Sequence, residues 1–400
     1  MMKILKTKIR GLSYFKNGEF EFDFFASKNV NFYEKESKNV SHVINKLYKL
    51  NSIALLGINA SGKTTSLKLV LAMLNIFIKN KSLSEDDIPE IGNYFDDEVI
   101  CENYIFNQEW IYKIESIISK DKSNSLYFKD EVLYRKKVKK TESKDKIFTN
   151  FEEPISRKDI DVTYLKQTDS IFSGVLNKKN HQLVEDSVVD LTNITDVNKI
   201  QYFANDMDIS YVNFLDDSIE SLIFEEDTKK FKIRFKYSKE LIESNIVDLN
   251  RFLSSGTIKG IMILLNIQFI LNSGGYLIID ELENHLNKSI AVQLIKLFNS
   301  NINKNSATLI FTTHYIEITD FIDRSDSIYV LKKNPLINIE KMSNIIGEKD
   351  RSDRKKSDLI LSGSYGLGTA PKNSSYKMMR ESMNKSIKLL SSESHELMER

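Results

Sequence analysis

Hydrophobic and polar positions alternate with a period of two near the start of the chain, at residues 3–10 and again at 19–25. A turn that contains Asn17 and Gly18 joins the two stretches. Period-two alternation places successive side chains on opposite faces of a strand. We therefore predict a β-hairpin with one solvated face. A polar stretch with little apolar periodicity follows at 27–49.

The pattern then changes to a continuous apolar strand followed by a helix. Residues 53–56 are all apolar, which is typical of a buried strand. The segment after residue 62 carries an apolar stripe at helical spacing, formed by Leu67, Leu69, Val70, Met73 and Leu74. The sequence thus predicts a strand, a short loop and a buried helix in immediate succession.

The loop between this strand and this helix reads Gly-Ile-Asn-Ala-Ser-Gly-Lys-Thr at residues 57–64 and matches GxxxxGK(S/T) without a mismatch. Its glycines let backbone N–H groups curl around a phosphate, and the helix directs its positive end at the same anion. We expect Lys63 to reach the β- and γ-phosphates and the Thr64 hydroxyl to ligate Mg²⁺. A glycine turn with an unrelated lysine is the alternative, which the strand and helix around the loop disfavour. The predicted nucleotide-binding residues are Gly57, Asn59, Ala60, Ser61, Gly62, Lys63, Thr64 and Thr65.

Period-two alternation returns at about 98–150 and predicts antiparallel strands. The basic run Arg-Lys-Lys-Val-Lys-Lys at 135–140 follows directly. Such a run is usually a solvated strand or loop edge, and contact with nucleic acid is the alternative. Residues 151–245 predict mixed helices and loops, with a strand at 231–237.

A second apolar strand, at 275–280, ends in Asp280 and Glu281. A carboxylate at the end of a buried strand can hold Mg²⁺ together with Thr64, and an adjacent glutamate can polarise the attacking water. Upstream, Ser254, Ser255 and Gly256 open a helical apolar pattern. These three residues predict a second anion-binding helix terminus, and an ordinary serine N-cap is the alternative.

A further buried strand, at 308–311, is followed by Thr-Thr-His and ends beside the predicted site. Of the five histidines, only His314 follows a strand in this position. We expect its imidazole to contact the γ-phosphate, because it can donate to a phosphoryl oxygen. A structural or surface role is the alternative. Metal ligation by His314 is not expected, since no Cys/His cluster at metal spacing accompanies it.

Composition narrows the function classes. The 400 residues are 41% hydrophobic, which is enough for the cores of two or three domains. The net charge is +1, so any DNA contact must come from a local patch of basic residues. The single cysteine excludes an intramolecular disulfide. The apolar stretch at 67–78 is too short to span a membrane, and the one at 261–279 is interrupted by polar residues. We expect a soluble cytoplasmic protein with no membrane partner.

The motifs, in this order, resemble an ABC-type ATPase of the SMC/RecF-like branch. The matching segments are the phosphate-binding loop at 57–64, an LSGG-like signature at 253–257, the Asp-Glu strand at 277–281, a D-loop at 283–287 and a switch histidine at 314. The chain is similar, more narrowly, to bacterial stand-alone AAA family ATPases of anti-phage and abortive-infection systems, relatives of the OLD, Septu and PARIS ATPase subunits.

The sequence departs from the family pattern in three places. Gln108 is only a candidate for the Q-loop glutamine, Ser255 stands where glycine is commoner, and Asn287 stands where aspartate is often found.

The resemblance implies an α/β fold class: an ABC-type P-loop NTPase with a mixed central sheet, an N-terminal antiparallel hairpin or sheet, and a strand-and-helix insertion. It also implies that two subunits sandwich ATP. The catalytic residues Lys63, Glu281 and His314, and the metal-binding residues Thr64 and Asp280, would then face Ser254, Ser255 and Gly256 of the second subunit.

We divide the chain into an ATPase core at 1–89, an insertion at 90–245 that could bind a partner, the remaining core at 246–340, and a charged tail at 341–400 with a terminal helix.

The leading function hypothesis is slow, regulatory ATP hydrolysis by a dimeric sensor or scaffold of an anti-phage defence system. That dimer would control a separate effector, a nuclease or toxin. The alternative is a DNA repair or chromosome-maintenance ATPase that binds DNA directly; long heptad-repeat arms would favour it, and 90–245 shows none. A transporter subunit and a non-hydrolysing scaffold are further alternatives.

Overall fold

The computed structural model describes residues 2–86, 88–160, 165–176, 187–192, 207–225, 228–238, 240–284, 286–347, 354–362 and 373–398. The chain divides into two compact units, Met1–Ser352 and Asp353–Arg400.

In chain order, the strands of the described residues are β1 (Lys3–Arg10), β2 (Glu19–Asp23), β3 (Val40–Ile44), β4 (Leu47–Leu50), β5 (Ser52–Leu56), β6 (Glu98–Asn107), β7 (Trp110–Lys120), β8 (Leu126–Lys137), β9 (Glu152–Ser156), β10 (Val188–Asp190), β11 (Ile219–Glu225), β12 (Lys230–Phe235), β13 (Ile242–Asn245), β14 (Tyr276–Ile279), β15 (Thr308–Thr313), β16 (Ile328–Lys333) and β17 (Ile337–Lys341). The helices are α1 (Phe32–Glu36), α2 (Lys63–Phe77), α3 (Lys144–Ile147), α4 (Ile171–Leu176), α5 (Ile209–Leu215), α6 (Ser255–Ser273), α7 (Lys288–Phe298), α8 (Met342–Ile346), α9 (Lys356–Leu361) and α10 (Asn373–Met398).

The central sheet has the strand order β10-β14-β15-β5-β16-β17. Neighbouring strands are parallel from β10 to β16, and β17 runs antiparallel to β16, so the sheet is mixed. Every residue of β5 is buried, as expected for a parallel strand covered on both faces. This arrangement confirms the predicted α/β fold class of a P-loop NTPase. Because the parallel strands share one carboxyl-terminal edge, the segments after β5, β14 and β15 can form one site.

A second sheet is antiparallel, with the order β2-β1-β6-β7-β8-β9. Its β1–β2 pair confirms the predicted hairpin, with Lys6 opposite Asp23, and ion pairs such as Lys6–Glu21 lie on its solvated face. The strands predicted between 98 and 150 are β6, β7 and β8. Because β6 pairs with β1, the strands on either side of residue 89 belong to one sheet. The division into four segments stays a prediction.

Aromatic side chains of β2 pack the two sheets together at one edge. Phe22 stacks on Tyr329 of β16 with ring centroids 4.6 Å apart, and the Tyr329 hydroxyl accepts a 2.8 Å hydrogen bond from the backbone N–H of Asp23. The hydroxyl of Tyr276, at the start of β14, accepts a 3.0 Å bond from the N–H of Ile4. Both tyrosines lie near the amino-terminal ends of their strands, so the opposite edge is left for the functional site.

Several strands were not predicted from the sequence, among them β3, β4, β11 and β13. The β3–β4 hairpin falls in the stretch interpreted as polar and aperiodic, because the buried Lys49 occupies an inward-facing position of β4 and hides the alternation. The predicted strand at 231–237 is β12, and it forms a three-stranded sheet with β11 and β13. This small sheet packs on α5 and the first half of α6 through a separate hydrophobic core.

The basic run at 135–140 is exposed at four of its six positions, as predicted, and buried at Lys136 and Val138. Lys136 is 6% exposed, and its Nζ donates to Glu142 Oε1 at 2.8 Å and to the carbonyl oxygens of Lys146 and Thr149 at 2.5 and 2.6 Å. This lysine ties the end of β8 to α3 and is not available to a nucleic acid.

One helix of the described ranges, α6, is long and apolar enough to cross a membrane by length and composition alone; 67% of its most apolar stretch is buried inside the structure.

Candidate functional site

The phosphate-binding loop connects β5 to α2 as predicted, and its geometry requires glycine at both bracketing positions. A Cβ on Gly57 would lie 2.2 Å from Ser61 Oγ and 2.8 Å from the carbonyl oxygen of Leu331. Gly62 has φ of +97°, and a Cβ there would meet Ile337 Cδ1 at 2.5 Å. A side chain at either place would clash or force a rare backbone conformation.

The other residues predicted for the loop also lie in it. Asn59 and Ala60 are exposed, Ser61 is buried and Thr65 is half-buried in the first turn of α2. Ala60 has φ of 61°, the left-handed region that residues with a Cβ rarely adopt. The loop therefore contains a left-handed alanine as well as a left-handed glycine, which is typical of functional backbone.

Lys63 folds back over the loop. Its Nζ donates to the carbonyl oxygens of Gly57 at 2.8 Å and Ile58 at 3.1 Å, and lies 3.3 Å from Nδ1 of His314. Burial lowers the pKa of Lys63, and the nearby acidic side chains, led by Glu281, oppose that shift. An ammonium held in this position can exchange neutral carbonyl partners for phosphate oxygens, which form stronger charge-assisted hydrogen bonds.

Thr64 and Asp280 are in direct contact. The Thr64 hydroxyl donates to Asp280 Oδ2 at 2.7 Å across the edge of the sheet. A hydroxyl and a carboxylate oxygen are hard ligands of the kind that Mg²⁺ accepts, and a bound nucleotide and water would supply its remaining ligands. Among the described residues, no group of three or more His, Cys, Asp or Glu side chains could bind a metal. Thr64 and Asp280 therefore fit a Mg²⁺ site that depends on the nucleotide for its other ligands.

Thr312 supports this pair, and sequence reasoning gave it no role. Its hydroxyl donates to Asp280 Oδ1 and accepts a 2.7 Å hydrogen bond from the backbone N–H of Glu281. The side chain is fully buried at the end of β15. One hydroxyl thus fixes the orientation of Asp280 and the backbone of Glu281. The sequence signal that could have indicated this role is the position of Thr312, two residues before His314.

His314 lies between two glutamates. Its Nε2 is 3.2 Å from Glu281 Oε1, and its backbone N–H donates to Glu283 Oε1. Glu281 has φ of 50° and a side chain that is 46% exposed, so its carboxylate faces the open edge of the site. The five residues Lys63, Thr64, Asp280, Glu281 and His314 are thus brought together.

The signature residues lie elsewhere. Ser254 caps α6, and its Oγ accepts a 3.0 Å hydrogen bond from the backbone N–H of Thr257. Ser254 and Ser255 are exposed and Gly256 is half-buried, and the contacts described above for Lys63, Thr64 and Asp280 do not involve them. The N-cap interpretation is therefore correct for Ser254.

The predicted D-loop forms the turn between β14 and α7. Asn287 caps α7, since its side chain accepts a 2.9 Å hydrogen bond from the backbone N–H of Ile290. His285 of the same segment lies outside the described residues. A helix cap accounts for an asparagine at this position, because a short polar side chain can satisfy an N–H of the first turn.

Gln108, the candidate Q-loop glutamine, does not belong to the site. It lies exposed in the turn between β6 and β7, next to Phe106, which pairs with Lys3 of β1. This part of β1 contacts Tyr276 at the amino-terminal end of β14, whereas Asp280 follows the other end. The turn is therefore at the opposite edge of the central sheet. The local sequence around Gln108 could not reveal this, because it depends on how the two sheets pack.

The following solved structures are similar to this chain, with TM-scores below 0.5. The SMC head domain from Thermotoga maritima is 13% identical, with 85% of this chain and 98% of that chain covered and a TM-score of 0.39. The SmcHead bound to the C-winged helix domain of ScpA is 10% identical, with 86% and 99% covered and a TM-score of 0.40. An ATP binding subunit of an ABC transporter is 10% identical, with 89% and 98% covered and a TM-score of 0.30.

No curated protein matches the chain. A family model does: the family described as "AAA domain, putative AbiEii toxin, Type IV TA system" matches residues 52–320. That match covers more than half of the chain and extends from β5 to the turn after His314, so it contains every residue of the site described above. The chain is therefore a member of this AAA-domain family.

Proposed function

We propose that the protein binds and hydrolyses Mg²⁺-ATP. The observation that carries this proposal is the convergence of Lys63 and Thr64 with Asp280, Glu281 and His314 at one edge of the central sheet. Hydrolysis needs a phosphate cradle, a metal ligand and a group that activates water, and this set of residues offers a candidate for each.

Each residue takes a role that its contacts support. Lys63 exchanges the carbonyl oxygens of Gly57 and Ile58 for oxygens of the β- and γ-phosphates. Thr64 and Asp280 hold the metal, which when bound neutralises charge on those phosphate oxygens. Glu281 orients a water molecule and accepts its proton. His314, which now contacts Glu281, donates to the γ-phosphate as negative charge develops there.

The second part of the proposal is that hydrolysis requires two copies of the chain. Ser254, Ser255 and Gly256 open a 19-residue helix, whose first backbone N–H groups can bind an anion. They take no part in the contacts of Lys63 and Thr64, so we assign them to the ATP held by another copy. ATP then bridges two half-sites, and hydrolysis releases them, which makes the dimer a timed switch.

The third part concerns the biological role. The family description names a toxin and a type IV toxin–antitoxin system. That description supports a regulatory ATPase of cellular defence, and we propose a cytoplasmic sensor or scaffold that controls a separate effector, a nuclease or toxin. Direct binding of DNA in repair is the competing role.

Hydrolysis and dimerisation are tested together on the purified protein, with Lys63→Ala, Glu281→Gln and, as a matched control, Glu220→Gln in the exposed part of β11. We expect Lys63→Ala to lose ATP affinity by about tenfold or more, since a charge-assisted hydrogen bond contributes about 1.5–3 kcal/mol. Glu281→Gln should retain ATP, lower kcat by about 10²–10⁴ and accumulate as a dimer in light scattering. Glu220→Gln should match the wild type. Full turnover by Glu281→Gln would overturn its role, and a monomer in excess ATP would overturn the dimer.

The role in defence is tested by co-purification of the tagged protein with the product of the neighbouring gene, for the wild type, Lys63→Ala and Glu281→Gln. A protein complex whose composition changes with the ATP-site variant supports the scaffold. ATP-dependent retention of DNA by Glu281→Gln, with no protein partner, overturns the scaffold in favour of repair.

A further inference from the structure

The main chain of His314 is held by a side chain from a neighbouring turn. The backbone N–H of His314 donates to Oε1 of Glu283, which lies in the turn after β14. Glu281, in the same turn, contacts the ring of His314, since its Oε1 lies 3.2 Å from the imidazole Nε2. Two carboxylates of one turn therefore contact His314, one at its main chain and one at its side chain.

His314 lies just beyond the strand pairing of the central sheet. β15 ends at Thr313, whose partner in the parallel ladder is Leu56, the last residue of β5. The next N–H along the chain, that of His314, is accepted by the Glu283 carboxylate. Hydrogen bonds to a carboxylate are shorter and stronger than those between neutral groups. The position of His314 thus depends on one side chain, whereas Thr313 is held by the sheet.

The second oxygen of Glu283 gains nothing from the fold. Oε2 is buried and, among the described residues, has no hydrogen-bond partner. An unpaired carboxylate oxygen in the interior costs stability, so glutamate is a poor choice for a purely structural contact at this place. Local features that cost stability are expected at functional sites. The cost favours a functional reason for the contact between Glu283 and His314.

We propose that Glu283 is a positioning residue for ATP hydrolysis. By accepting the N–H of His314, it holds the imidazole with Nδ1 3.3 Å from Lys63 Nζ and Nε2 3.2 Å from Glu281 Oε1. The inference rests on the proposed function, because it assigns Glu283 a role in that reaction. Since Glu283 acts through His314, its loss should lower the rate of hydrolysis and leave ATP binding intact.

The kcat for hydrolysis and the Kd for ATP of full-length variants test this role. Glu283→Ala removes the acceptor, and Glu283→Gln keeps an amide oxygen that can accept the same N–H without the charge. We expect Glu283→Ala to lower kcat about tenfold or more, since a small misplacement of a reacting group is costly, and to keep Kd within about twofold. Glu283→Gln should keep kcat within about threefold of the wild type. The matched control, Glu317→Ala, removes an exposed glutamate of the segment after His314 and should match the wild type.

A double-mutant cycle with His314→Ala tests whether Glu283 acts through the imidazole. If it does, adding Glu283→Ala to His314→Ala should lower kcat no further, because the effects of residues that act as a unit are not additive. Independent losses would overturn the proposal. Equal losses in Glu283→Ala and Glu283→Gln would overturn it as well, since the charge and not the hydrogen bond would then matter. If Glu283→Ala fails to fold, Glu283→Asp, which is one methylene group shorter and withdraws the acceptor, takes its place.

Amide hydrogen exchange tests the contact itself without ATP. Glu283→Ala should speed exchange of the His314 N–H about tenfold, whereas Glu283→Gln and Glu317→Ala should leave it unchanged. Unchanged exchange in Glu283→Ala would overturn the inference. A normal kcat in Glu283→Ala, with Glu281→Gln inactive, would overturn the inference and leave the proposed function intact. Absence of hydrolysis by the wild type would overturn both.

Discussion

The hydroxyl of Thr64 donates a 2.7 Å hydrogen bond to Oδ2 of Asp280, although 216 residues separate the two in the chain. The contact exists because β5 and β14 are parallel strands with only β15 between them, so both segments leave the sheet at the same edge. It joins the phosphate-binding loop to the acidic strand end, so the two proposed metal ligands lie side by side.

Removal of the Thr64 hydroxyl tests this arrangement. We expect Thr64→Ala to weaken ATP binding in Mg²⁺ by about tenfold, because one ligand and one hydrogen bond are lost. In EDTA the two proteins should bind ATP equally, and Thr64→Ser should restore affinity in Mg²⁺. Titration calorimetry in both buffers checks this prediction. An equal loss in EDTA would mean that Thr64 shapes the loop and does not ligate the metal.

Thr312→Val tests the hydroxyl that orients the acidic residues. The variant leaves the Glu281 N–H without its partner and Asp280 with one partner fewer, at a cost of about 1–3 kcal/mol in stability. We also expect kcat for ATP hydrolysis to fall by about tenfold or more, since a small misplacement of catalytic groups is costly.

The matched control for Thr312→Val lies on the same strand. Thr308 is equally buried, and its hydroxyl donates to the Leu50 carbonyl oxygen at 2.7 Å, at the opposite end of β15. Thr308→Val should lose similar stability in urea unfolding and keep its hydrolysis rate. If both variants lost hydrolysis equally, the effect of Thr312 would be one of stability alone.

Gly57→Ala tests the tightness of the loop. The new methyl group would meet Ser61 Oγ and the Leu331 carbonyl oxygen well inside contact distance, so the loop must open. We expect a loss of about 1–3 kcal/mol in stability together with the loss of measurable ATP binding. Gly174→Ala is the control, since a Cβ at that exposed position of α4 meets nothing within 4 Å. It should be neutral or stabilise the protein by about 0.5–1 kcal/mol. Normal ATP binding by Gly57→Ala would contradict the prediction.

The sequence predicted the parts of the site that local pattern determines. Lys63 and Thr64 follow a buried strand within one motif, and Asp280 follows another, so the parallel-sheet rule was enough to bring them together. Thr312 could not be predicted, because a threonine in a β-strand is ordinary and its role depends on which strand lies beside it. The position of Gln108, the candidate Q-loop glutamine, could not be predicted for the same reason. The edge of the central sheet at which Gln108 lies depends on how the two sheets pack together.

The missed β3–β4 hairpin shows how a single buried charge can conceal a strand. Lys49 is 1% exposed, its Nζ donates to the Ser306 carbonyl oxygen at 3.1 Å, and it lies 3.9 Å from the ring centroid of Tyr276. The aromatic face favours the ammonium form. Burial, with a smaller contribution from nearby Lys3, outweighs it and holds the pKa of Lys49 well below its usual range.

This buried lysine should make the stability of the protein depend on pH. Between the lowered pKa of Lys49 and its unfolded value of about 10.4, only the unfolded state binds the proton. The free energy of unfolding therefore rises with pH in that window, by up to about 1.4 kcal/mol per unit. This contribution to the free energy of unfolding is fully present above the unfolded pKa. It decreases as pH falls through the window and is lost once pH is below the folded pKa.

Lys49→Met, which keeps the length of the side chain and removes the charge, should abolish this dependence. We expect the variant to exceed the wild type in stability near pH 7, where the wild type must bury or deprotonate an amine, and the advantage to shrink as pH approaches 10. Urea unfolding followed by circular dichroism at several pH values measures it. Lys46→Met, in the exposed turn of the same hairpin, should stay within about 0.5 kcal/mol of the wild type at every pH. A difference between Lys49→Met and the wild type that did not change with pH would mean that Lys49 stays charged in the folded protein, held by Tyr276 and Ser306.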